Sequence, residues 1–473
     1  MKTHPNFIAI VILAAASTAF AGSATWNLNP TSEDWNTPAN WTPATVPNGE
    51  DDAATFDVSH MTQLSLSAST IVDRLVFNPN ASEYTITVMP TFPLTLDGFG
   101  IKNDSAFAQH FVVPANSAIF FDHQASAGNS TFIIYSQGVV SFNIRSSAGT
   151  ASFTLNEALT NVTFHSDSTA DNATFTINVG DLYFDDRSSA GNATLIANGP
   201  DFIGGRIKFF EAADGGTAQV KVFDTGTLDI TYSTRPAGMT IGSLEGNGLV
   251  VLSSQATTNL VVGSNNRSTT FSGLISGGRG GLSKIGTGRL ILSNANTYTG
   301  STVVSEGTLA VTNRTGSATG TGSVTVNGGT LGGRGVIAGA VTIGTGSGTG
   351  AALAPALGGH KQNTLTMNGS VTLLADATYT ATFRFNDANQ RADRLIADGV
   401  AINGAMFELQ GPTQGALPVG TIFTVIDNTA ATAIAGIFSN LPDGGTITVG
   451  NDTFQANYEG GDGNDLTLTV ISP

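Results

Sequence analysis

The chain has 473 residues with 57 glycines, no cysteine, only 11% charged residues and a formal net charge of −16. Glycine does not fall at every third position, and the missing cysteines rule out a disulfide-stapled scaffold, so neither a collagen nor a small cross-linked domain is possible. A 40% hydrophobic content gives ample surface to bury and argues against disorder, while the shortage of Lys and Arg excludes nucleic acid and anionic lipid, which are bound through cationic patches.

Lys2 precedes an apolar run from Phe7 to Ala16, and Ala19-Phe20-Ala21 follows. That order predicts a signal peptide over residues 1–21, cleaved after Ala21, because the run is too short to span a bilayer. The expected product is secreted or held at the cell surface, with no membrane-spanning segment after cleavage. Residues 22–105 are expected to hold an N-terminal cap and the first coils. Trp26, Trp35 and Trp41 lie within this stretch. They are expected to plug the first open coil, as terminal repeats need atypical caps; a sugar-stacking platform is the alternative. Asn48-Gly49-Glu50-Asp51-Asp52 offers calcium-type oxygen ligands, but short acidic loops are common and no metal is assigned to it.

Residues 106–245 carry an internal repeat. Ala127-Gly128-Asn129-Ser130-Thr131-Phe132 returns as Ala148-Gly149-Thr150-Ala151-Ser152-Phe153, as Ala170-Asp171-Asn172-Ala173-Thr174-Phe175 and as Ala190-Gly191-Asn192-Ala193-Thr194-Leu195. A second ladder is read through Phe120, Phe142, Phe164 and Phe184. Two ladders in phase at about 21–22 residues mark a solenoid. The fold class is therefore all-β, a parallel β-helix (β-solenoid) in which each coil of about 21 residues stacks on the last at about 4.8 Å. Phe then stacks on Phe, and Gly, Asp and Asn occupy corners that need a positive φ. Like charges repeated on a ladder would repel at every level, which accounts for their scarcity. About 20 coils are expected, a rod of roughly 90 to 100 Å. A WD40-type propeller needs a period near 40 with a Trp signature, and immunoglobulin-like sandwiches would not explain a 21-residue register.

Residues 246–345 continue the period with a different motif. Gly307-Thr308-Leu309 and Gly329-Thr330-Leu331 are 22 apart, as are Val304 and Val326. Upstream, Gly281-Leu282-Ser283-Lys284-Ile285-Gly286-Thr287-Gly288-Arg289-Leu290-Ile291-Leu292 leads into Asn296-Thr297-Tyr298-Thr299-Gly300. This passage, from Gly281 to Val311, resembles the autotransporter-associated β-strand repeat, also called the passenger-associated transport repeat. The matching motif positions are Leu282, Lys284, Gly286, Gly288, Leu290, Leu292, Asn296, Tyr298, Gly300, Gly307 and Leu309. The resemblance implies a right-handed β-helical passenger whose repeat assists secretion or folding, and it implies no catalytic residue. Weaker similarity to sequence that follows such repeats runs from Gly322 onward. No C-terminal membrane barrel is expected, since the strand pattern of one is missing.

Residues 346–473 are expected to form the last coils and a cap. Tyr379, Ala381, Phe383 and Phe385 alternate with polar residues as a two-faced strand. Arg384, Asp387, Arg391, Asp393, Arg394 and Asp398 form the densest charge cluster, read as a solvated face. Gly460-Gly461-Asp462-Gly463-Asn464-Asp465 resembles the opening of an RTX calcium repeat, but one unstacked copy with Leu466 out of phase reads as a tight polar turn.

No catalytic residue, cofactor or metal is assigned. Asp122 with His123, and Asp185 and Asp186 with Arg187, are read as lying on adjacent coils where a sugar could meet them, although Asp122 and Asp185 are three coils apart; His123 and His165 are read as singly placed surface histidines, with a shared face, two coils apart, as the alternative. The expected function is an exported, non-enzymatic structural or adhesive protein. The alternatives are a polysaccharide lyase or glycosidase on a β-helix, and a carbohydrate-binding module built on the three Trp. An extracellular polysaccharide or cell-surface component is the expected partner.

Overall fold

A computed structural model describes residues 22–199, 202–253, 258–348, 350–357, 363–386, 389–412 and 416–473. The proposed signal peptide and Asp387 lie outside these residues. The described residues form a right-handed β-solenoid of about 14 stacked parallel coils, with almost no helix among them.

Register follows the repeated phrase. Phe132 pairs with Phe153, Phe153 with Phe175 and Phe175 with Leu195. Their rings are 4.6 Å apart and nearly parallel, at 8° and 5°. On the facing sheet Phe121, Phe142, Phe164, Phe184 and Phe209 stack at 4.6 to 4.9 Å. The two columns meet edge to face, as Phe142 meets Phe153 at 5.8 Å and 81°. Stacked and T-shaped contacts are both favourable for aromatic quadrupoles, so one Phe serves two neighbours on its own column and one across the core. The second ladder begins at Phe121, not Phe120. Alternation sends Phe120 outward beside Ser141 and leaves Phe121 fully buried on Phe142.

The corners explain the rest of the phrase. Gly128, Gly149, Asp171 and Gly191 all have positive φ, between 52° and 61°. A Cβ on Gly149 would stand 2.6 Å from the carbonyl oxygen of Gly128 in the coil below. Two residues earlier, the hydroxyls of Ser126, Ser147, Thr169 and Ser189 accept the N–H of those corner residues at 2.9 to 3.1 Å. This short side of the coil pairs through single-residue bridges until three-residue strands replace it from Met239–Ile241 onward.

The period widens away from the central coils. Leu195 pairs with Val220, a step of 25, and Tyr379 with Phe407, a step of 28. Longer coils and the capping segments use up residues, giving about 14 coils in place of about 20, or a stack of roughly 70 Å at 4.8 Å per coil.

Both ends are capped. Trp26, Trp35 and Trp41 are no more than 2% exposed. Trp26 and Trp35 meet Trp41 edge to face at 5.0 and 4.9 Å, and Trp41 packs on Phe56. Each indole N–H donates to a carbonyl, of Met61, Pro47 and Trp35 respectively. At the other end, strand Ile422–Asn428 pairs in parallel with Arg394–Ala397 on one side and antiparallel with Asp465–Ser472 on the other. That reversal ends the coil path in an antiparallel hairpin.

One interior column is polar. Ser146, Ser168 and Ser188 occupy the same turn position, with Ala125 and Ala213 at the two ends, and the serine hydroxyls are buried without a hydrogen-bond partner. A buried unpaired hydroxyl costs about 1–3 kcal/mol, and the flanking alanines show that the site accepts a methyl. Ser168→Ala is expected to raise stability by about 1 kcal/mol, read as a higher urea midpoint at unchanged slope; a lower midpoint would refute the unpaired state.

Candidate functional site

The transport-repeat passage spans two successive levels of the stack, Leu282–Lys284 pairing with Thr302–Val304 and Arg289–Leu292 with Thr308–Val311, and its interior carries a cationic side chain. Lys284 replaces an aliphatic residue in the column Val262, Lys284, Val304, Val326 and Ile343. It is 1% exposed, its stem packs like its neighbours, and its ammonium reaches a corner. There Nζ donates to the carbonyls of Ile285, Gly286 and Glu306 at 2.6, 2.7 and 3.3 Å. Burial pushes its pKa down to about 8, so at neutral pH it remains an ammonium and can serve all three acceptors. Gly286 and Gly307 turn this corner at φ of 66° and 68°.

Asn296 lies in the following stretch, which has no strand of its own. Its Oδ1 accepts the N–H of Ile275 at 2.7 Å and its Nδ2 donates to the carbonyl of Ala318 at 2.5 Å. The amide thus stands in for the backbone ladder between the coils below and above. Tyr298 is fully buried with its hydroxyl 2.6 Å from Thr302 Oγ1; burial raises its pKa and keeps the phenol neutral. Leu282, Leu290, Leu292 and Leu309 fill the core, and Gly288 and Gly300 lie against backbone of the preceding coil. The motif residues are therefore a connected structural set. Lys284→Met keeps the stem but leaves three carbonyls facing an apolar group, and is expected to destabilise by about 2 kcal/mol, seen as a lower urea midpoint.

The second cluster lies on an exposed corner. Carboxylate oxygens of Asp185, Asp186 and Glu211 come within 4.8 Å of one another. Asp185 and Asp186 were legible as an acidic pair; Glu211 was not, because the coil lengthens before it. Asp186 Oδ2 accepts the N–H of Ser166 at 2.8 Å, and Asp185 Oδ1 accepts the N–H of Asp186 at 2.8 Å. Arg187 turns away to Asp167, at 2.9 and 3.2 Å, and holds that carboxyl below its usual range. Such a trio has the oxygen donors for a divalent cation or for acid–base chemistry. Asp122 instead accepts from Asn143 Nδ2 and stands three coils, about 14 Å, from Asp185, beyond the separation a glycosidase pair spans.

Several expected placements change. His123 lies below Ile144 and Ser166, whereas His165 lies above Asn143, so the two histidines occupy adjacent columns and not one. His123 pairs with Asp97 at 2.5 Å. In the charge cluster, Asp393 is not solvated: it is fully buried and accepts the N–H groups of Asn363 and Thr382, both at 2.9 Å. Arg394 pairs with Asp427. Gly460 and Gly463 close a tight turn, and Asp465 points inward to the N–H of Asn428 at 2.9 Å. Asp52 folds back onto the N–H of Asn48 at 3.1 Å.

A glycine-rich loop adds a site that no sequence motif announced. The carboxylate of Asp376 receives the N–H groups of Thr345, Gly346 and Gly348 and the hydroxyl of Thr345, at 2.7 to 3.0 Å. These donors lower its pKa from 3.8 to about 2. A depressed carboxylate contributes stability that is present above 3.8 and is lost as pH falls through 2. Amide exchange at Gly346 and Gly348 is therefore expected to stay slow down to about pH 4 and to lose protection toward pH 2, with protection already absent at neutral pH in Asp376→Ala.

Residues 282–311 match the family model of the passenger-associated transport repeat. No curated protein matches the chain. The chain is thus a β-solenoid of stacked coils with one passage, residues 282–311, similar to the passenger-associated transport repeat.

Proposed function

We propose that the chain is an exported, non-enzymatic structural or adhesive protein whose function is spread along the outside of a rigid rod. The observation that carries this reading is the continuity of the stack: side chains of the matched repeat are used to join coils, and both ends are closed by caps. Export is supported by the repeat itself, which belongs to passenger domains, and by the leader-like order of residues 1–21. The buried indoles leave no ring face for a sugar, which removes the ground for the Trp-based module. An extracellular polysaccharide or cell-surface component remains the proposed partner.

A polysaccharide-active enzyme is the second reading, favoured by the approach of Asp185, Asp186 and Glu211. Two of the three carboxylates are, however, engaged by backbone N–H groups. Incubation with plant, algal and bacterial polysaccharides is expected to release neither reducing ends nor unsaturated products. Turnover that disappears in Asp185→Asn or Asp186→Asn would replace the structural reading with the enzymatic one. Fractionation of the producing cells is expected to place the protein in the surface or medium fraction.

A further inference from the structure

The sheet that carries Phe132, Phe153 and Phe175 on its inner side presents a regular array on its outer side. Strands Thr131–Ile134, Ser152–Leu155, Thr174–Ile177 and Thr194–Ala197 pair in parallel without a register shift. Their outward residues form two columns, Thr131, Ser152, Thr174 and Thr194 beside Ile133, Thr154, Thr176 and Ile196. The strand below in the stack adds His110 and Val112, and the next adds Thr85 and Thr87.

Three properties set this face apart. The first is chemical: the four central strands carry only hydroxyl and methyl groups outward. On the neighbouring sheet the same coils carry Asp181, which Arg206 grips at 2.6 and 2.7 Å, together with Lys208. The second is that the hydroxyls of the four central strands are free, apart from that of Thr131, which meets the His110 ring at 2.5 Å. Those of Ser152, Thr154, Thr174, Thr176 and Thr194 have no hydrogen-bond partner in the protein, whereas the corner hydroxyls of Ser126, Ser147, Thr169 and Ser189 are all engaged. The third is spacing. The coils rise by about 4.8 Å above phenyl rings stacked at 4.6 Å, and successive outward residues of one strand are about 6.7 Å apart.

We propose that this face binds the surface of ice. Its two spacings lie close to the repeats of water oxygens along the a and c axes of hexagonal ice. Free hydroxyls in that arrangement can hold first-layer waters at lattice positions while the methyl groups between them order the adjacent water. The stacked phenyl core keeps the rows straight, and no charged group stands outward on the four central strands; His110 with Glu83 bounds the patch below and Lys221 with Glu245 bounds it above. The inference depends on the geometry of this face alone and is separate from the export and partner readings.

The test uses the folded chain in dilute buffer. The protein is expected to shape growing ice crystals, slow recrystallisation of fine-grained ice and partition into a slowly growing ice front. Thr154→Tyr with Thr176→Tyr breaks the flatness with a residue that suits strands, and is expected to abolish all three effects while the thermal midpoint stays near that of the parent. Thr176→Tyr alone gives a milder disturbance should the pair fail to fold. Thr325→Tyr with Thr342→Tyr, on the opposite sheet of later coils, is the control and keeps the activity. A parent protein without effect on ice, or a folded Thr176→Tyr variant that retains full activity, overturns the proposal.

Discussion

Everything in this molecule depends on coil-to-coil register. Parallel hydrogen bonding places each residue directly over its counterpart one coil earlier, so any side chain that suits one level is offered the same surroundings at the next. Phenyl rings profit from this, because a ring stacked at 4.6 Å gains a partner above and below. Asparagine profits likewise: Asn178 links Asn156 and Asn198 through side-chain bonds of 2.7 and 2.8 Å. Charges do not, and several of those present pair with an opposite charge across coils, as Arg187 does with Asp167 and Arg206 with Asp181.

The transport-repeat coil shows the same constraint solved with different chemistry. Where the earlier coils use apolar columns and one column of small serines, this one places an ammonium and an amide inside. A buried charge costs far more than a buried hydroxyl unless its bonds are made. Lys284 meets the condition with three carbonyls and Asn296 with a donor and an acceptor on different coils. The result is a level whose joins to its neighbours run through side chains as well as backbone.

How much of this was legible in the sequence follows from which features repeat. The corner glycines and the Phe132 column recur in phase and could be read directly. Phe120 and Phe121 are adjacent, and period alone could not choose between them; the alternation of faces does. The engaged hydroxyls of Ser126, Ser147, Thr169 and Ser189 went unread because their role is local, an acceptor two residues before a positive φ, and not a ladder contact. Non-repeating groups were least legible. Asp393 looked like a member of a solvated charge run, but its burial is set by Asn363, one coil away, and Glu211 joined Asp185 only because a coil grew longer. The Asp376 cradle needs three amides from a loop some 30 residues earlier, and no spacing rule encodes that.

The direction of the interstrand hydrogen bonds has a mechanical consequence. They run parallel to the rod axis, so tension applied between the chain ends loads them a few at a time, at whichever terminal coil is open, and the stack unzips level by level. Each released coil of about 21 residues lengthens the chain by about 70 Å. Force applied across the rod instead loads all levels together in shear. The two caps therefore matter beyond solubility. With Trp26, Trp35 and Trp41 packed on Phe56 at one end and an antiparallel hairpin at the other, the first event under axial load is the loss of a cap, and the strength of the whole rod is that of its weaker end.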